Sequence, residues 1–115
     1  MPMNDATQYL VVWGVDAERA LASFKGEKFK INRKRAYRNA LSMLAFRPRE
    51  QAEGIVDYPG FEFNGYYWAN INNAVVVYDV DEPSGTVFID GCFYANYGES
   101  AEIFWGIFPD DDEVE

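Results

Sequence analysis

The apolar pattern of the chain changes its period once, and this change fixes the class of fold. Between residues 17 and 46, apolar side chains recur at the three- and four-residue spacing that is typical of helices. From Tyr66 onward they follow the alternation typical of half-buried strands, and many are β-branched or aromatic. A helical part followed by strands predicts an α+β domain, with helices packed on one face of an antiparallel sheet.

The helical part contains two predicted helices behind one strand. The apolar run Tyr9–Trp13 predicts a short buried strand. Asp16 can cap a helix from Ala17 to about Phe24, and Asn32 can cap a second helix from Arg33 to Phe46. The second helix has an apolar face, so we expect the pair to form an αα-hairpin that lies on the sheet.

The second half predicts an antiparallel meander. Its predicted strands are Tyr66–Ile71, Ala74–Val80, Thr86–Phe93 and Ile103–Phe108. The pair Asn72-Asn73 predicts a tight turn, since Asn tolerates positive φ. The run Val75–Val77 is apolar on both faces, which indicates a central strand. The strand near the N-terminus then joins the sheet at an edge or is inserted into it.

Length and composition are typical of one folded domain. We assign residues 1–109 to a single domain and residues 110–115 to an acidic, disordered tail. Residues 1–8 lack the features of a signal peptide, and no apolar stretch approaches the roughly 20 residues that span a bilayer. We therefore expect a cytoplasmic protein without a membrane partner.

The chain has no histidine and one cysteine, and this removes several classes of chemistry. Zinc sites with histidine ligands, Ser-His-Asp triads and Cys-His pairs are excluded. An intrachain disulfide is excluded as well, and we expect Cys92 to be a small buried side chain. The sequence predicts neither a metal nor a cofactor.

Positive and negative charges are separated along the chain. All ten Lys and Arg residues lie between Arg19 and Arg49, whereas fifteen of the nineteen acids lie from Glu50 onward. The net charge of −9 argues against non-specific binding of nucleic acid by the whole surface. One short segment can nevertheless face an anion.

The order of elements and several motifs resemble the RelE/ParE superfamily of bacterial toxins from toxin–antitoxin modules. The matching features are the short strand before an acid-capped helix, the Leu-rich end of the second helix before Pro48, and the hairpin Val75–Glu82 that returns through Thr86–Ile89. The resemblance covers roughly residues 9–94. It implies a cognate antitoxin as partner, and a target in translation (messenger RNA on the ribosome) or in DNA gyrase.

The resemblance also implies a catalytic set, and here this chain departs from it. Members that cut messenger RNA use Lys or Arg on the sheet and a late Tyr or His. Tyr94 or Tyr97 can take the late aromatic position as a catalytic residue, but the expected strand arginine has no counterpart in residues 91–95. A ribosome-dependent endonuclease or a catalytically degenerate relative both remain open.

Two sets of residues are candidate binding sites. The candidates for phosphate or nucleic acid are Lys28, Lys30, Arg33, Lys34 and Arg35, which lie around the start of the second helix. Two alternatives are a solvated helix face and pairing with the acids of the chain itself. The candidates for a partner-binding aromatic face are Tyr66, Trp68 and Tyr78, for which core packing is the alternative.

The sequence leaves two functions from different classes. The first is a RelE/ParE-like toxin. The second is a non-catalytic acidic binding protein, an inhibitor or nucleic-acid mimic, whose sheet and tail engage a basic partner. Self-association through the strand edges also stays open.

Overall fold

The computed structural model describes residues 7–107. The elements are β1 (Leu10–Trp13), α1 (Val15–Ser23), α2 (Arg33–Met43), α3 (Pro48–Gln51), β2 (Gly54–Ile55), β3 (Tyr67–Ile71), β4 (Ala74–Asp81), β5 (Thr86–Tyr94) and α4 (Gly98–Trp105). The proposed tail, residues 110–115, lies outside the described residues, as does the C-terminal end of the proposed domain.

The five strands form one sheet in the order β1-β5-β4-β3-β2. Strands β3, β4 and β5 form the predicted antiparallel meander, and β1 pairs with β5 in parallel at an edge. The predicted α+β fold is therefore confirmed. Residues 75–77 lie in the middle strand and are fully buried, which confirms their central position.

Local backbone features fix the register of the meander. Asn72 and Asn73 have φ angles of 56° and 70° and form the predicted turn between β3 and β4. The register shifts between Val77 and Tyr78, whose partners on β5 are Gly91 and Ile89. Asp90 is therefore the extra residue of a β-bulge.

The helices differ from the predictions at their ends. Gly14 is the N-cap of α1, so the predicted capping role of Asp16 is wrong; Asp16 lies in the first turn, where its charge favours the helix dipole. Asn32 caps α2 as predicted, because its side chain accepts a hydrogen bond from the Arg35 N–H. Helix α2 ends at Met43, and Pro48 opens α3.

The predicted fourth strand at residues 103–108 is wrong, because residues 98–105 form helix α4. A short apolar run has no period that separates a buried helix from a strand. The buried side chains Ser100 and Phe104 are four residues apart, which is helical spacing. Gly106, with φ of 69°, ends the helix in the left-handed conformation that glycine favours.

The sheet has a core on each face. On the helical side, α1 and α2 pack against alternate residues of β1, β3, β4 and β5, including Val76, Tyr78, Val87 and Ile89. On the second face, the segment 56–66 and α4 cover the other alternate residues. The buried members of this second core are Val56, Trp68, Val75, Val77 and Phe104.

Candidate functional site

The strongest candidate site is a group of basic side chains around the connection from α1 to α2, here called the basic hairpin. Its members are Lys25, Lys28, Lys30, Arg33, Lys34, Arg35 and Arg38. All seven are exposed. The Asn32 cap fixes the start of α2 and so places Arg33, Lys34 and Arg35 in the first helical turn. Of the five predicted phosphate-binding residues, Arg33 and Lys34 line one groove between α1 and α2, and Lys28, Lys30 and Arg35 are exposed in the neighbouring segments.

The basic hairpin is not paired with acids of the described chain. Residues 7–107 contain two ion pairs, Arg47–Glu50 at 3.5 Å and Arg49–Glu82. Neither pair involves the basic hairpin. The pairing alternative is thus not observed within residues 7–107, and these cations face solvent.

A groove of about 820 Å³ lies between α1 and α2 beside the basic hairpin. Its lining residues are Glu18, Leu21, Ala22, Ile31, Asn32, Arg33, Lys34, Tyr37 and Arg38. The Arg33 guanidinium donates a hydrogen bond of 2.7 Å to the Ala22 carbonyl, which ties α2 to the end of α1. Tyr37 stacks on Trp13 with ring centroids 5.2 Å apart. The groove therefore combines a cationic wall with an apolar floor.

Tyr94 binds the backbone of the basic hairpin from the core on the helical side. Its hydroxyl accepts hydrogen bonds from the Lys30 backbone N–H at 2.7 Å and from the Asn96 side chain at 3.2 Å. Its ring is buried on the helical side against Phe24 and Phe29. Tyr94 thus holds the segment that carries Lys30, a role that the sequence did not indicate.

Tyr97, the other candidate late aromatic, lies at the surface. It precedes α4, and its ring contacts Phe29 and Tyr94 edge-on. Its hydroxyl has no hydrogen-bond partner among residues 7–107. The two tyrosines are therefore neighbours, but one is buried and the other exposed.

The structure corrects the expectation of an exposed aromatic face for two of its three residues. Tyr78 is fully buried on the helical side, and its hydroxyl donates a hydrogen bond of 2.7 Å to the Pro48 carbonyl. Burial raises the pKa of Tyr78 well above its usual value. Trp68 is buried in the second core, where its ring contacts Phe104 and Trp105. Tyr66 is half-buried at the rim of that core.

The chain itself covers the aromatic part of the second face. The Phe63 ring lies directly over Gly91, where an added Cβ would come within 2.8 Å of the ring. The Tyr58 hydroxyl donates a hydrogen bond to the Glu102 carboxylate and so joins the covering segment to α4. A ligand cannot reach Trp68 unless this cover moves.

The remaining candidate groups are the carboxylates near Asp90 and the thiol of Cys92. Asp90 lines a cavity of about 290 Å³ with Asp16 and Glu62, and its pKa is raised, chiefly by burial and also by Asp79. Residues 7–107 hold no group of three or more side chains placed to bind a metal ion. Burial raises the pKa of the Cys92 thiol to about 12, so this side chain is a poor nucleophile.

Within the described part of the chain, no helix is long and apolar enough to cross a membrane.

Comparison with known proteins finds a solved structure with a similar fold. No protein-family model and no curated protein matches the chain. The fold is similar to that in the crystal structure of the toxin–antitoxin complex RelBE2 from Mycobacterium tuberculosis, with a TM-score of 0.59 and 18% sequence identity. The match covers 76% of this chain and 92% of that chain. At this identity the likeness shows a RelE-like fold.

Proposed function

We propose that this chain is the toxin of a toxin–antitoxin module, and that it binds the phosphate backbone of RNA in the translation machinery without cutting it. The single observation that carries the proposal is the basic hairpin, exposed and without an ion pair among residues 7–107, on a RelE-like fold. Its protein partner is then an antitoxin.

The start of α2 favours an anionic ligand. The backbone N–H groups of Arg33 and Lys34 have no hydrogen-bond partner among residues 7–107, and they point out of the positive end of the helix dipole. Cationic side chains in this turn oppose the dipole, and a bound phosphate relieves that repulsion. The backbone phosphates of nucleic acid are anions of this kind, so this surface favours RNA over a protein target such as gyrase.

The surroundings of the sheet favour binding without cleavage. Cleavage of RNA by its own 2′-hydroxyl needs a base, an acid and a cation at the reacting phosphate. The sequence has no histidine, and from Glu50 onward it has neither Lys nor Arg. The Tyr94 hydroxyl, one of the two candidate catalytic groups, is engaged with the Lys30 backbone. The basic groups thus lie on the helical hairpin, away from the sheet positions of the family's catalytic set.

Growth after induced expression in a bacterium tests the toxin function. We expect arrest with the unchanged chain, no arrest with the triple variant R33A/K34A/R35A, and intact messenger RNA in both cultures. Normal growth with the unchanged chain would contradict a toxin. Arrest accompanied by cut messenger RNA would contradict binding without cleavage.

Salt-dependent RNA binding tests the surface itself. The double variants R33A/K34A and R19A/R47A remove the same charge, but only the first affects the basic hairpin. With single-stranded RNA, the slope of log affinity against log salt should fall by roughly 0.7 for each lost phosphate contact. We expect this decrease for R33A/K34A and almost none for R19A/R47A. Equal decreases in both would indicate attraction by overall charge.

A further inference from the structure

One end of the second sheet face is left uncovered by the described chain. The second core covers the rows of Val75 and Val77 on β4 and of Phe93 on β5. The two rows beyond them, toward the turn between β4 and β5, are here called the open strip. Its members are Leu10 and Val12 on β1, Thr86 and Phe88 on β5, and Asp79 and Asp81 on β4.

Strand register places these six residues side by side, although Thr86 in the middle of the strip is itself buried. Leu10 pairs with Thr86 and Val12 with Phe88, while Asp81 and Asp79 pair with the same two residues from the other side. The intervening residues pack on the helical side: Val11, Trp13, Tyr78, Val80, Val87 and Ile89 belong to or contact that core. Alternation along each strand therefore directs the open strip to the second face.

The open strip has an apolar part and an acidic part. Leu10 is 65% exposed and Phe88 is 41% exposed, which is high for neighbouring apolar side chains on a sheet. Asp79 is also exposed, and Asp81 is half-buried. Within residues 7–107 the only hydrogen bond of these two carboxylates is the one that Asp81 accepts from Ser84, so Asp79 has no hydrogen-bond partner there.

Apart from the ion-paired Arg49, the charged groups that the structure describes around the open strip are carboxylates. The next row continues with Gly14 beside Asp90, and Asp90 shares its cavity with Asp16 and Glu62. Arg49 is paired with Glu82, the residue that follows Asp81. Any occupant must therefore combine an apolar stripe with positive charge, since an acidic occupant would be repelled.

We propose that the open strip binds an amphipathic helix of a protein partner, with an apolar stripe and with lysines or arginines along one flank. The strip is three strands wide, about 10 Å at a strand spacing of about 4.8 Å, which matches the diameter of one helix. A helix lying along the strands sets its apolar stripe on Leu10, Val12 and Phe88. Its basic flank then lies over Asp79 and Asp81.

This inference goes beyond the proposed function and does not depend on it. The open strip and the basic hairpin lie on opposite sides of the sheet and attract ligands of opposite charge. Binding of RNA and binding of a basic helix therefore involve separate residues, and either can fail alone.

The test uses two synthetic helical peptides of 18 residues and identical composition. In the first, lysines lie beside a leucine stripe; in the second, the same lysines lie on the face opposite the stripe. Titration of the full chain, followed by amide NMR shifts, should show binding of the first peptide with the largest changes in β1, at Phe88 and at Asp79. Equal affinity for both peptides, or changes spread over all acidic segments, would overturn the proposal.

Matched variants locate the site. Phe88→Ser should weaken binding of the first peptide about tenfold or more, whereas Phe46→Ser, at a side chain of nearly equal exposure elsewhere, should leave it unchanged. Asp79→Asn should weaken binding several-fold at low salt, and Asp57→Asn should not. Equal effects within either pair would overturn the proposal. A dimer of the chain alone that dissociates in Phe88→Ser would also do so, because a second copy would then occupy the strip.

Discussion

The two faces of the sheet use their aromatic residues and their charges differently. The helical side buries Tyr78 and Tyr94 with their hydroxyl groups bonded to backbone, and it displays bases at its surface. The second face packs rings that contact mainly other rings, such as the half-buried Phe61 and Phe63 and the buried Phe104, and acids such as Asp79 are exposed on it. The separation of charge along the chain thus largely becomes a separation between two surfaces, although Glu18 lines the groove beside the basic hairpin. The basic surface favours anionic ligands, and the acidic surface favours cationic ones.

The first prediction concerns the core of the helical side, where the largest effect is expected. Leu44 is fully buried between α2 and the sheet, so Leu44→Ala should lower the free energy of unfolding by about 2–5 kcal/mol. The neighbouring Met43 is 39% exposed, and Met43→Ala should cost far less. Urea denaturation followed by circular dichroism measures both. Similar losses of unfolding free energy in the two variants would contradict a main core on the helical side.

The second prediction concerns the cover of the second face. In Gly91→Ala the new methyl group meets the Phe63 ring, so the cover must shift, at a cost of about 1–3 kcal/mol. Gly98→Ala is the control, because an added Cβ there meets no atom within 4 Å. Stability from urea denaturation and binding of a hydrophobic dye to the native state measure the effect. Dye binding that does not increase in Gly91→Ala would show that the cover tolerates the methyl group.

The third prediction links the helical-side core to the basic hairpin. Tyr94→Phe removes the acceptor of the Lys30 N–H and should lower stability by about 1 kcal/mol. It should also weaken RNA binding modestly, since the segment of Lys30 is held less firmly. Tyr97→Phe removes a hydroxyl without a partner among residues 7–107 and should change neither quantity. Indistinguishable results for the two variants would remove the supporting role of Tyr94.

The sequence predicts the parts of this fold that rest on local signals. Helix spacing, the Asn32 cap and the Asn72-Asn73 turn act within a few residues, and all three appear in the structure. Helix α4 cannot be recognised in this way, because its apolar run is short and has no distinctive period. The cover over the second face depends on Phe61 and Phe63, whose contacts lie far away in the chain.

The same reasoning applies to the sites. The basic hairpin is contiguous in sequence, so its residues could be predicted as one group. The burial of Trp68 and Tyr78 depends on which elements pack on each face of the sheet, and alternation alone does not show which faces are covered. The open strip depends on the parallel pairing of β1 with β5, which no local pattern encodes. Long-range pairing therefore decides which side chains are exposed, whereas local patterns identify most, but not all, of the helices and strands.

The last prediction compares two carboxylates with opposite pKa shifts and has the smallest expected effect. Hydrogen bonds from Arg49 and Tyr9 lower the pKa of Glu82. Its contribution to stability is therefore present above its unfolded-state pKa of about 4.5, and it is lost as the pH falls through the lower folded value. The pKa of Asp90 is raised, chiefly by burial. Protonation of Asp90 therefore stabilises the folded state. This contribution is fully present below the unfolded-state pKa of about 3.8, and it is lost as the pH rises through the higher folded-state pKa.

Urea midpoints measured from pH 3 to pH 7 distinguish these two carboxylates. In Glu82→Gln the loss of stability on acidification should become smaller, because the folded state no longer holds that carboxylate ionised. In Asp90→Asn the loss should become larger, because the unchanged chain gains some stability from protonation of Asp90 as the pH falls. Changes of the same sign in both variants would contradict the difference between a paired carboxylate at the Arg49 end and a desolvated one beneath the cover of the second face.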